Sequence, residues 1–71
     1  PFYISGEVHK PGQYPCPPGM SLAKAIAVAG GYTFRADSKR ATISRVSTKG
    51  LATPDTAILP GDVVVVPEAW F

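Results

Sequence analysis

Few side chains in this 71-residue sequence are equipped for chemistry: one histidine, His9, one cysteine, Cys16, and five acids, Glu7, Asp37, Asp55, Asp62 and Glu68. A hydrolytic triad needs a serine on a sharp strand-to-helix elbow, and no Gly-x-Ser-x-Gly sequence occurs. His9 falls at the outer face of a strand end and reads as an exposed residue. Cys16 would be a credible nucleophile at a helix N-terminus, where the thiolate is favoured. It instead stands five residues before Ser21, among Pro15, Pro17 and Pro18, with no adjacent base. The acids have neither the spacing of a calcium loop nor that of an acid–base pair. One Cys and one His cannot assemble a four-ligand zinc site. No catalysis, cofactor or metal is therefore expected.

What remains is recognition. Between positions 35 and 49, the cations Arg35, Lys39, Arg40, Arg45 and Lys49 face one acid, Asp37, a local net of +4, while the other residues together carry −2. Two readings of this stretch stand. A charge run keeps a face wet and deters strand pairing. Alternatively, Arg35, Lys39 and Arg40 form a positive surface that meets an acidic polymer or an acidic patch of a neighbouring subunit. Nucleic acid would add a need for stacking aromatics. Tyr32 and Phe34 are near, but the Gly-Gly-Tyr segment is expected to pack them against a helix end, so nucleic acid is not expected as a partner. Tyr14, Tyr32 and Trp70 are candidate platforms for a sugar ring. Each has a structural reading as well: Tyr14 folding over a hairpin, Tyr32 closing a helix terminus, Trp70 anchoring an interdomain contact.

Short elements must position these residues. Phe2, Ile4, Gly6 and Val8 alternate with Tyr3, Ser5, Glu7 and His9, the pattern of a strand with one face inward. Gly6 has no side chain to pack on that face, which predicts close approach of another backbone. Lys10-Pro11-Gly12-Gln13 has the chemistry of a type II turn. Gln13 and Tyr14 then begin a return strand that Pro15, Pro17 and Pro18 confine to a sheet edge. From Ser21, a good N-cap, Leu22, Ala25, Ile26 and Ala29 recur at helical spacing until Gly30-Gly31. A helix from Leu22 to Ala29 is shorter than the ~12 residues that hold alone in water, so its apolar stripe must lie on a sheet. A phosphate loop would need its glycines before the helix, and these follow it.

Tyr32 to Lys39 reads as a polar connection with room for one helical turn, which is expected there. Ala41 to Val46 reads as a strand whose apolar residues do not sort onto one face, which points to a bulge. Ser47 to Ala57 reads as a loop, with Leu51 anchoring a brief extended piece. Leu59-Pro60-Gly61-Asp62 repeats the turn chemistry. Val63 to Val66, β-branched and apolar on both faces, is expected to be a central, fully buried strand that Pro67 ends. A hairpin, a helix laid across it and two further strands make an α+β arrangement, with the valine strand beside the first. That is the β-grasp topology of ubiquitin-like proteins.

At this length, 45% hydrophobic and 17% charged residues supply one core, so residues 1–71 are expected to form a single domain, read as a piece of a larger multidomain protein. A chain this small buries only about 60% of the surface it exposes when unfolded, which makes neighbours desirable. The longest apolar run, Ala25 to Ala29, is far below the ~20 residues of a membrane span. With no basic-then-apolar leader in view, the stretch is expected to be soluble, to make no membrane contact and to carry no targeting signal of its own. Cys16, being alone, forms no internal disulfide.

Several of these segments also resemble a known family. Ile4-Ser5-Gly6-Glu7-Val8 with Pro11-Gly12-Gln13-Tyr14, Ala25 through Tyr32 with its Ala-Gly-Gly, and Leu59-Pro60-Gly61-Asp62-Val63 are similar to the soluble-ligand-binding β-grasp domain. The likeness is to its form in bacterial polysaccharide export proteins, and it covers nearly the whole chain in order. Ala41, Ile43 and Arg45 follow weakly the family's apolar, apolar, Arg alternation in its third strand. Many relatives have a longer polar segment between that strand and Pro-Gly-Asp. The resemblance implies a non-catalytic assembly or interaction module of a periplasmic parent protein associated with the outer membrane. Such proteins form homo-oligomeric rings through which capsular or exopolysaccharide leaves the cell. It implies other domains and copies of the parent as partners. A module that contacts acidic glycan directly is the alternative, and a module of a DNA-uptake protein a further one.

Overall fold

Apolar alternation at the start of the chain builds β1 (Phe2–Gly6), which buries Phe2 and Ile4 and turns Tyr3 and Ser5 outward. The computed structural model describes residues 1–45 and 48–69. After β1 come β2 (Gly12–Tyr14), α1 (Leu22–Val28), β3 (Thr42–Ser44), β4 (Lys49–Leu51) and β5 (Val63–Val66). The strands form one sheet in the order β2-β1-β5-β3-β4. β1 and β5 run parallel at its centre, with Tyr3 opposite Val63 and Gly6 opposite Val66, and the outer pairs are antiparallel. One short helix on a five-stranded mixed sheet is the expected α+β, β-grasp arrangement.

The core lies between helix and sheet. Leu22, Ala25 and Ile26 of α1 cluster with Phe2, Ile4, Ile43, Val64 and Val66 of the sheet, and with Met20 and Ile58 from the connections. At seven residues α1 depends on this burial, and its first amides are each satisfied. Leu22 N–H donates to Thr56 O (2.9 Å), Ala23 N–H to Pro54 O (3.1 Å) and Lys24 N–H to the Ser21 hydroxyl (3.3 Å). The same bonds bind the 54–57 loop to the helix start. At the other end, Gly30 takes a φ of +86°, and its N–H reaches Ala27 O at 3.1 Å.

Gly6 stands where backbones meet, as its place in the pattern suggests. Its φ is +93°, and a Cβ there would lie 2.1 Å from Val66 O, so no other residue fits without moving β5.

The structure corrects several expectations. β1 stops at Gly6; Val8 is buried but makes only an isolated bridge to Tyr32. The reversal occupies residues 7–11 instead of closing at Lys10–Gln13, because Gly12 already pairs with Ile4. The 32–39 connection contains turns and no helical turn. β3 is shorter than Ala41 to Val46, and its register to β5 runs without an extra residue, so no bulge interrupts it. Within it the faces sort cleanly, since Ala41 and Ile43 are buried between half-exposed Thr42 and Ser44. Val46 lies outside the described residues. A fifth strand, β4, stands where a loop with one extended piece was expected, so the sheet exceeds the anticipated four. β5 is central but buried on one face only: Val64 and Val66 are covered, whereas Val63 and Val65 are each 38% exposed.

Candidate interaction surfaces

The face of the sheet opposite α1 has no covering layer among the described residues. Register places Gln13, Tyr3, Val63, Ser44 and Lys49 in one row across it, and Ser5, Val65, Thr42 and Leu51 in the next. Opposed residues of neighbouring strands point to the same side, so Tyr3, Val63, Val65 and Leu51 lie on one face, all exposed and flanked by hydroxyl side chains.

Two of the five cations in the basic stretch are tied to acids. Asp62 is only 2% exposed, and both its oxygens accept from Arg45 Nε, at 2.9 and 3.1 Å. Asp62 Oδ2 also accepts Leu59 N–H at 2.8 Å, and Arg45 Nη2 donates to Ala57 O at 2.8 Å. This pair locks the turn before β5 to the end of β3. Arg40 Nε lies 3.3 Å from Asp37 Oδ2, and Asp37 Oδ1 accepts Lys39 N–H at 3.2 Å.

Arg35, Lys39 and Arg40 are all exposed and share one connection, which is clamped to the strand ends. Asp37 N–H donates to Pro67 O (2.9 Å), Ala69 N–H donates to Arg35 O (2.7 Å), and Ala36 bridges Glu68. Acids therefore stand among the three cations: Asp37 within the connection and Glu68 beside it. Phe34, expected against the helix end, is 89% exposed, with the Arg35 guanidinium 5.7 Å from its ring centroid.

Tyr14 and Tyr32, two of the candidate aromatic platforms, stand apart, one paired with Phe2 at the start of β1 and the other bridged to Val8 beyond its end. Tyr14 is half-buried over β1, its ring 5.9 Å from that of Phe2 and its hydroxyl donating to Lys10 O. Tyr32 is half-buried against the core, and burial raises its phenol above the ordinary tyrosine range. Trp70 lies outside the described residues. His9 is exposed, while Cys16 packs half-buried with its thiol 3.5 Å from Ile58 O. Among the described residues, no three His, Cys, Asp or Glu side chains gather as metal ligands would, and no helix is long and apolar enough to cross a membrane.

An open cleft of about 200 Å³ lies under β4, lined by Ile43, Arg45, Lys49, Gly50, Leu51 and Thr56 among others. Sequence reasoning missed it because it arises from a strand it read as a loop. The Arg45–Asp62 pair did leave a signal: an Arg alternating with Ala41 and Ile43, and an Asp closing the Leu59-Pro60-Gly61 turn.

A sequence model of the SLBB domain matches residues 1–56, which include β1 through β4 and the helix. The chain belongs to the SLBB domain family. Over 38 residues, 54% of its length, this SLBB domain is 47% identical to the exopolysaccharide production protein ExoF of Rhizobium meliloti (strain 1021). The matched stretch is 9% of that relative, so the SLBB domain spans a small part of the protein it resembles.

Proposed function

We propose that this SLBB domain is a non-catalytic assembly module of a protein that exports capsular polysaccharide or exopolysaccharide across a bacterial envelope. The parent is read as a periplasmic, outer-membrane-associated protein whose copies form a ring, with this domain contributing to the wall. The observation that carries the reading is the uncovered sheet face, where Tyr3, Val63, Val65 and Leu51 stay in contact with water. Val63 and Val65 extend the central strand, so that face is rigid and pre-shaped for a neighbouring surface, which limits the ordering cost of association. The family match and the relative's name, exopolysaccharide production protein, support the export setting.

Arg35, Lys39 and Arg40 belong to the same role, as a polar rim. With Asp37 and Glu68 among them, they suit a mixed-charge protein contact better than capture of an acidic glycan. The test replaces Val63 and Val65 together by Thr in the full-length protein, which keeps β-branched side chains on the strand. The thermal midpoint is expected to move by a few degrees only, while sedimentation shows the assembly dissociating at concentrations where the wild type stays associated. An unchanged assembly overturns the reading.

A further inference from the structure

The two edges of the sheet are not alike. β2 is held between Pro11 and Pro15, with Pro17 and Pro18 beyond, which keeps that edge too short for an extended partner. β4 ends the opposite side, contains no proline, and exposes all three of its residues. Its ladder with β3 is bracketed by Arg45 N–H to Thr48 O (2.7 Å) and Ala52 N–H to Ala41 O (2.8 Å). Bonded pairs alternate along an antiparallel ladder, so Ile43 and Gly50 form the bonded pair between those brackets. Lys49 and Leu51 then turn their N–H and C=O groups away from β3, off the edge of the sheet.

Below that edge lies the cleft. Gly50 shares the helix-side face with Ile43, and a Cβ added to Gly50 would meet nothing within 4 Å. The missing side chain is thus what opens the cleft beside Ile43 and Thr56. We infer that β4 is a strand-acceptor site: an extended segment of a protein partner pairs with Lys49 and Leu51 and seats one apolar side chain in the cleft under Gly50. This rests on the assembly reading and names the kind of partner it requires.

Register gives that partner its chemistry. The residue opposite Gly50 points to the helix-side face, into the space that Gly50 leaves open at the mouth of the cleft. Its two neighbours point to the open face, one opposite Lys49 and one opposite Leu51. Among the described residues no acid lines the cleft, and Arg45 is already engaged by Asp62, so Lys49 is the cation at this edge that can meet a partner's charge. The fitting segment therefore reads acidic, apolar, apolar, with the carboxylate opposite Lys49 and an aliphatic side chain opposite Leu51.

The probe is a fluorescein-labelled peptide, Ser-Glu-Val-Val-Thr-Ser, used with its reversed sequence and with a control carrying Lys in place of Glu, titrated into the full-length protein. One of the two Glu peptides is expected to bind, and the Lys control to bind about tenfold more weakly. Gly50→Val fills the cleft and Leu51→Pro deletes one outward donor at a position where an edge strand tolerates proline. Each should lose binding at least about tenfold with a nearly unchanged thermal midpoint. If Leu51→Pro fails to fold, Gly50→Val alone decides. Lys49→Glu should reverse the preference toward the Lys peptide. The assignment is overturned if neither Glu peptide binds the wild type, if Gly50→Val binds as the wild type does, or if the cleft instead takes an acidic oligosaccharide that Gly50→Val excludes. Failure of the assembly reading is read separately, from the Val63/Val65 variant.

Discussion

Asp62 is the side chain on which most local order converges. Its two oxygens share the single Nε–H of Arg45, and one of them also accepts Leu59 N–H, at a position nearly sealed from water. Asp62→Ala should destabilise the domain by about 2–3 kcal/mol, less than a fully enclosed pair would lose because Arg45 keeps part of its hydration. Asp62→Asn, which retains an acceptor for Leu59, should cost about half of that, as urea unfolding would measure. Charge type and turn chemistry made Asp62 and Arg45 visible in the sequence, but their pairing was not: seventeen positions separate them, and only the β3–β5 ladder closes that distance. Tyr32 gives the domain an alkaline pH dependence. Burial raises its folded-state pKa above that of the unfolded chain, so the unfolded state loses its proton first as pH rises. The stability Tyr32 contributes should be fully present below about pH 10 and be lost above it, and Tyr32→Phe should flatten that alkaline decline in a denaturation series.

Among the elements, α1 tests whether capping or packing holds a seven-residue helix. Ser21→Ala removes one acceptor from Lys24 N–H and should cost about 1 kcal/mol. Leu22→Ala empties a site that is 1% exposed and should cost about 3 kcal/mol, so the midpoint shift for Leu22 should be roughly three times that for Ser21. The helix was legible because its spacing, cap and glycine stop agree with one another. β4 was not, because Lys49-Gly50-Leu51 has neither alternation nor β-branched residues, and it is a strand only because β3 offers it a partner. β5 was half legible: its four valines marked the middle of the sheet but could not reveal that just one layer covers it. The candidate surfaces were harder still. Phe34 stands out in the solvent because Arg35 and Asp37 are bonded to residues near position 68, a constraint with no trace in local sequence.

At the scale of the whole molecule, the β-grasp joins the two ends of the described chain at its centre, β1 beside β5. The hydrophobic face of β1 is completed by Val64 and Val66, and Glu7 N–H by Val66 O at 2.9 Å. A chain cut after residue 61 should therefore lack cooperative unfolding altogether, with circular dichroism and limited proteolysis reporting an unfolded peptide instead of a weakened domain. A residual melting transition in that fragment would contradict the central role given to β5. The same neighbourhood sets a timetable during biosynthesis. β1 lacks its parallel partner until Val63–Val66 arrive, so this segment stays an open thread up to its last strand and then closes in one step.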